Sequence, residues 1–393
     1  MVRHPAADPH LITKSEDLAE FCGSLAQAPY ITIDTEFLRE KTYWPILCLV
    51  QIAGPEPHQE AAIDTLAPGL DPAPLAALLK NTKATKVFHA ARQDVEIFFR
   101  MTGSIPKPIV DTQVLAMVCG FGDAASYETL AGKLANVRLD KLARFTDWSR
   151  RPLSPRQLDY ALSDVIHLRG IYQKLHDKAE KAGRLEWIAE EMALLTDPAT
   201  YEFNPENAWK RLRTRSEKPR FLAVLKEVAA WREREAQNRD VPRNRVLNDE
   251  NLVEIAAHVP ETPDALAQCR GLTRGFAESR TGEAILAAVK RGLAVPESEA
   301  PKLPPKQDIP PGLGPLIDLL RVLLKLRCDE FEVAQKLLAN SADLERIAAD
   351  DHAKVPALNG WRRKVFGEEA LALKHGKLAL TAKGRSIRII SLE

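Results

Sequence analysis

ITIDTEFLREKTYWPILCLVQIA, residues 31–53, carries an acidic pair inside an otherwise apolar strand, and the reading of the chain turns on it. Ile31 to Phe37 reads as one strand and Ile46 to Ala53 as the next. Side chains alternate along a strand, so Asp34 and Glu36, two apart, leave the same face. Two carboxylates beside Ile31 and Ile33 are costly to bury unless a cation compensates them. Taken alone, D-x-E is more commonly a solvated strand end.

Outward from this stretch, strand-like and helix-like runs alternate. Glu60 to Asp64 and Lys86 to His89 read as strands, Pro72 to Lys80 and Ala91 to Met101 as helices, and the alternation is that of an α/β layer. Ser154 followed by Pro155 caps a long helix reaching about Lys181. A further helix covers Glu186 to Leu195, and beyond Thr196 the strand pattern fades. Lys218 to Leu293 is helical, punctuated by Pro242, Pro260, Pro263, Gly271 and Gly282. Residues 296–315 hold seven prolines in twenty positions, which predicts an extended linker rather than a helix. Leu313, Leu316, Ile317, Leu320, Leu323 and Leu324 then repeat at helical spacing, and the last twenty residues read as short strands with glycine turns.

Two more acidic positions complete a constellation. Asp94 falls on the first turn of the helix after KVFH, where the helix dipole favours a carboxylate. In the long helix, Tyr160 and Asp164 are four apart and share a face, while Leu158, Leu162 and Val165 fall roughly opposite. Each feature has a bland reading by itself. The ordered set D-x-E, H-x4-D, Y-x3-D on strand, helix and helix does not.

With those residues on the page, the chain resembles the ribonuclease D family, in the tyrosine-bearing branch of the DEDD exonuclease superfamily. The likeness rests on residues 31–53, VFHAARQDVEIFF (87–99), IVDTQVLA (109–116) and DWSRRPLSPRQLDYALSDVIHL (147–168), and is continuous over most of residues 11–195. It implies an RNase H-like catalytic domain, a mixed sheet flanked by helices. The family's four acids fall on Asp34, Glu36, Asp94 and Asp164 and its tyrosine on Tyr160, with no departure among the five.

The activity implied is 3′→5′ exoribonuclease, releasing nucleoside 5′-monophosphates from RNA ends by two-metal phosphodiester hydrolysis. Four oxygen ligands favour Mg2+ or Mn2+ over zinc, and two divalent ions can serve nucleophile, phosphorane-like charge and leaving oxygen together. On the resemblance, Asp34 bridges both ions, Glu36 and Asp164 complete the site, and Asp94 acts on the second ion. Tyr160 then holds or deprotonates the attacking water. Phe37 is either a wedge against the terminal base or a core residue. His89 and His167 are left outside the site.

Residues 221–272 resemble the HRDC module, and 313–385 a second, more divergent copy. The expected layout is an exonuclease domain over 1–200, a first all-α HRDC domain over 212–295, a proline-rich linker over 296–312 and a second HRDC-like helical domain over 313–393. Between Lys210 and Arg245 twelve Lys or Arg stand against five acids, a local excess in a chain whose net charge is +1. That segment is a candidate phosphate-binding surface, with Arg232, Arg239 and Arg243 as candidate RNA contacts; the alternative is a solvated, salt-bridged face.

Composition bounds the rest. Five scattered cysteines with no C-x-x-C pair argue for reduced thiols rather than a disulfide framework or zinc site. No run is long and apolar enough for a membrane span, and the N-terminus lacks a signal-peptide core. A cytoplasmic monomer acting on RNA with a single-stranded 3′ end, such as a tRNA precursor, is expected. The competing readings are a 3′→5′ DNA exonuclease and a non-catalytic RNA-binding module; a helicase is disfavoured because no G-x4-G-K-[ST] loop occurs.

Overall fold

The computed structural model describes residues 10–138, 146–214, 216–303 and 310–392. Six strands form one mixed sheet: β1 (Leu11–Ile12), β2 (Tyr30–Leu38), β3 (Ile46–Ala53), β4 (Glu60–Ile63), β5 (Thr85–Phe88) and β6 (Ile109–Asp111), in the order β1-β4-β3-β2-β5-β6. β2, β5 and β6 run parallel, with Thr32 opposite Val87 and Phe88 opposite Asp111, while β3 is antiparallel to β4. The acid-bearing β2 is thus central, flanked by β3 and β5. Ile31, Ile33, Leu49 and Val87 are fully buried around it.

Helices α1 (Ser15–Ser24), α2 (Ala73–Lys80), α3 (Arg92–Thr102), α4 (Thr112–Met117), α5 (Tyr127–Leu130), α6 (Pro155–Lys181) and α7 (Ala189–Leu195) accompany the sheet. α6 begins as its sequence requires: the Ser154 hydroxyl accepts from the Gln157 amide, the Gln157 side chain returns to the Ser154 amide, and Pro155 occupies the first turn. Elements the sequence reading did not draw out include the short β1, β6 and α4 and the ten-residue α1, which starts without a side-chain cap. α4 starts on Asp111, whose carboxylate accepts from the Gln113 amide at 2.8 Å.

The chain divides into two compact units. One comprises the segment ending at Glu36, Cys48–Thr200 and the C-terminal part from Gln307; the other comprises Phe37–Leu47 and Tyr201–Lys306. In the first unit the C-terminal module contributes α14 to α18, after α8 to α13 of the other unit: α8 (Pro219–Arg239), α9 (Arg243–Val246), α10 (Asp249–His258), α11 (Pro263–Ala267), α12 (Arg274–Ala277), α13 (Arg280–Ala294), α14 (Gly314–Glu330), α15 (Gln335–Leu338), α16 (Ser341–Ala349), α17 (Gly360–Arg362) and α18 (Glu368–Lys374). Leu320, Leu324, Ile347 and Phe366 share one apolar core with Leu115, Leu168 and Ile171 of the sheet-flanking helices. The Trp187 and Trp361 rings stack at 4.3 Å, and the buried Arg362 guanidinium reaches Glu190 and Glu191. The C-terminal module, expected as a domain of its own, therefore has no separate core. Nor is it wholly helical: β7 (Leu378–Lys383) and β8 (Ser386–Ser391) close it as an antiparallel hairpin turning at Gly384. The proline-rich stretch ends where α14 begins at Gly314, with Pro315 in its first turn, and residues 304–309 of it lie outside the described residues.

In the second unit α8 packs closely on α13. A Cβ on Gly292 would stand 2.6 Å from the Val224 Cα, so only glycine permits that approach. Residues of the β2–β3 connection belong to this unit: the Tyr43 and Trp44 amides both donate to Asp240 at 3.0 Å, and the Tyr43 hydroxyl donates to Glu233. Glu233, 1% exposed, also receives Arg243 at 2.6 and 2.7 Å and Arg211 at 3.0 Å. Burial alone would raise the Glu233 pKa, but the hydrogen bonds from Arg243 and Tyr43 and the two guanidinium charges outweigh it and hold it at about 2. A carboxyl depressed below its ordinary 4.5 adds stability that is complete above that value and lost as pH falls toward 2. Glu233→Gln should destabilise the neutral-pH protein by roughly 2–4 kcal/mol and flatten the acid limb of the melting curve. An unchanged melting temperature at pH 7 by calorimetry would contradict this.

Candidate active site

Three of the acids converge. Carboxylate oxygens of Asp34, Glu36 and Asp164 all lie within 4.8 Å of one another. The convergence is built by the backbone: Asp34 and Glu36 share a face of β2 by alternation, and the buried Thr32 hydroxyl, two residues earlier, donates to the Val165 carbonyl of α6 at 2.9 Å. That bond pins the third turn of α6 against β2 and sets Asp164 beside Asp34.

Asp94 enters from α3. Its carboxylate accepts from the Thr35 hydroxyl, and Asp94 is 7% exposed. The start of α3 is fixed by Asp111, which accepts from the Ala90 and Ala91 amides at 2.9 Å each, across a turn in which Ala90 takes a left-handed φ of 59°. Burial, then the Asp164 charge, pushes the Asp34 carboxyl well above the ordinary range, against the Thr35 amide that lowers it. Burial, then Asp34, does the same for Asp94. Close carboxylates that resist ionising together are what an oxygen-liganded cation relieves, so the donor set fits a hard divalent metal.

Tyr160 is half-buried on α6, one turn before Asp164, with its ring centroid 6.2 Å from that of Trp148. Tyr127, which the sequence reading missed, belongs to the same neighbourhood. Its hydroxyl donates to the Asp164 carbonyl, and burial, then the charges of Asp164, Asp34 and Tyr160, raises its pKa well above the usual range. Nothing in its local sequence, SYETL, distinguishes it from a helix start capped by Ser126. His89 contacts the Thr112 hydroxyl at 3.0 Å, and its ring is tilted on that of Tyr127 with centroids 5.5 Å apart.

The remaining candidates belong to the other unit. Phe37 is half-buried at the end of β2, on the face opposite Glu36 by alternation. Arg232 is 3% exposed and donates to the Leu247 carbonyl and to Asp249 at 2.7 Å. Arg243 is committed to Glu233 and lies over the Tyr43 ring at 4.7 Å. Both charges are thus consumed inside the fold. Arg239 pairs with Glu235 at 3.6 Å on the exposed side of α8, and Arg215 lies outside the described residues.

The 3′-5′ exonuclease family matches residues 9–180 and the HRDC domain residues 221–289. Ribonuclease D of Granulibacter bethesdensis is 52% identical over 384 residues, covering 98% of this chain and 97% of its own, and ribonuclease D of Nitrobacter hamburgensis is 52% identical over 380 residues, covering 96% and 99%. The chain belongs to the ribonuclease D family. Among solved structures, Escherichia coli RNase D, an exoribonuclease involved in structured RNA processing, superposes with a TM-score of 0.79 at 30% identity, covering 94% of this chain and 99% of that one. A protein from Bifidobacterium adolescentis has the same fold, TM-score 0.67 at 18% identity. As a ribonuclease D the chain is a 3′→5′ exoribonuclease, a hydrolase whose substrate is RNA and whose chemistry uses divalent metal. Among the described residues no helix is long and apolar enough to cross a membrane, and all five cysteines are free, four of them buried.

Proposed function

We propose that this ribonuclease D trims single-stranded 3′ extensions from tRNA precursors and other small structured RNAs, using Asp34, Glu36, Asp94, Asp164 and Tyr160. The observation that carries the reading is the convergence of Asp34, Glu36 and Asp164 within 4.8 Å. These three acids and Asp94 would hold two divalent ions, Mg2+ or Mn2+; bound there, the metal supplies charge neutralisation at the scissile phosphate and acidity for the attacking water. The Tyr160 oxygen would hold the attacking water and, as the phenolate, take its proton to become the neutral phenol. Phosphorus–oxygen cleavage on the 3′ side leaves the shortened RNA with a ribose 3′-OH and a nucleoside 5′-monophosphate free.

Residues 212–295 are the first HRDC domain and 313–393 its divergent copy, merged into the core of the exonuclease domain over 1–200. Because the buried Arg232 is paired with Asp249 and Arg243 with the buried Glu233, the exposed Lys210, Arg213, Lys218 and Arg220 are better phosphate contacts on this segment. The protein acts as a monomer, and its free thiols fit a reducing cytoplasm.

The test is a 5′-labelled RNA carrying a single-stranded 3′ tail. Products should shorten from the 3′ end one nucleotide at a time, EDTA should abolish them, and added Mg2+ or Mn2+ should restore them. Hydrolysis undiminished in EDTA, or cleavage of a circular RNA, would contradict the reading. A matched DNA strand degraded faster than RNA would favour the DNA exonuclease alternative.

A further inference from the structure

Between the two halves of the site lies a turn whose purpose the acids do not explain. Arg151 uses every face of its guanidinium. Nε and Nη2 donate to the two Asp64 oxygens at 2.6 Å each, Nη2 also to the Cys48 carbonyl of β3 at 2.9 Å, and Nη1 to the Trp148 and Arg150 carbonyls at 2.7 and 2.9 Å. A forked, bidentate pair fixes orientation as well as distance. Asp64, its side chain 6% exposed, sits one residue beyond β4 and also accepts from the Leu66 amide at 3.0 Å. The pair therefore fastens the 148–151 turn to the ends of two sheet strands.

What the turn presents is Trp148. Its indole is 2% exposed and lies against Tyr160, centroids 6.2 Å apart and planes inclined 34°. The other side of the same turn leads into the Ser154 cap that starts α6, with Tyr160 on the second turn of that helix. A phenol that must handle one water loses most of its value if its ring can swing, and a locked supporting shell is what prevents this.

We infer that the Asp64–Arg151 pair and Trp148 are positioning residues that hold the Tyr160 ring in its working orientation. The inference rests on Tyr160 acting on the attacking water. On this inference both act through Tyr160, Trp148 by its ring contact and Arg151 by fixing the turn that carries Trp148.

A double-mutant cycle on the full chain separates this from general damage. Arg151→Lys keeps the charge and loses the fork; Trp148→Leu loses the ring. Single-turnover rates at saturating RNA should fall about 10- to 100-fold in each, with KM unchanged within about twofold and divalent metal affinity, read by calorimetry with Mn2+, unaltered. In a Tyr160→Phe background the same substitutions should change the rate less than about twofold, because what they position is already gone. Trp148→Phe, which keeps an aromatic face, should recover most of the rate lost in Trp148→Leu. Should Arg151→Lys fail to fold, the two Trp148 variants complete the cycle alone. A loss that persists in full beside Tyr160→Phe, or a rise in KM at constant rate, overturns the inference. Tyr160→Phe at full rate would instead sink the role of Tyr160 itself, a different and separately visible result.

Discussion

Asp34→Asn should abolish RNA hydrolysis, lowering the single-turnover rate by about 10³-fold or more, since metal-derived stabilisation of several kcal/mol is at stake and each ~1.4 kcal/mol is tenfold. Asp34 stands between the other acids: its oxygens lie within 4.8 Å of those of Glu36 and Asp164, and its charge is what raises Asp94 after burial. The same substitution should act oppositely on stability when metal is withheld. Burial and the Asp164 charge raise the folded pKa of Asp34 above its ordinary 3.8, so the folded state binds the proton more tightly than the unfolded chain does. The contribution of Asp34 to the stability of the metal-free protein is then fullest below 3.8 and is lost as pH rises through the elevated value. Asparagine removes that slope. In EDTA at pH 7 the variant should melt higher than the parent, and with Mg2+ the order should reverse. A variant that hydrolyses RNA at a comparable rate in saturating Mg2+, or melts lower in EDTA, counts against the assignment.

How far the sequence could be read depended on where each interaction lies along the chain. β3 and α6 were legible nearly to the residue because alternation and the Ser154-Pro155 cap are local signals. Asp34 and Glu36 could be placed on one face in advance because a spacing of two in β2 does so locally. Tyr127 was not legible, since its membership depends on a bond to the Asp164 carbonyl, 37 residues away, which leaves no spacing in the sequence. Arg232 and Arg243 misled for the same reason: a cluster of basic residues says nothing of Asp249 and Glu233 folding back on them. The heptad-like leucines of α14 said that a face would be buried. They could not say that Leu115 and Leu168 would be on the other side of it.

Tyr160→Phe isolates the one site residue that is not an acid. Phenylalanine keeps the ring, so the packing against Trp148 and the course of α6 survive, and the melting temperature should move little. The four carboxylates are untouched, so metal affinity and RNA affinity should be retained. What goes is an oxygen that can hold a water and, as the phenolate, accept its proton. General-base assistance is typically worth ~10²–10⁴-fold, and the single-turnover rate should fall by that much with KM nearly unchanged. The pH profile carries a second signature. A phenol titrates near ~10 in isolation, and adjacent cations favour its anion, so the parent's rate should rise with pH through a limb below that value. The variant's rate should lack that limb, whereas a merely structural tyrosine would lower the whole profile without changing its shape. Full activity in Tyr160→Phe, or a profile that keeps its alkaline rise, would assign the proton to another group, and the buried Tyr127 hydroxyl beside Asp164 is then the next to remove.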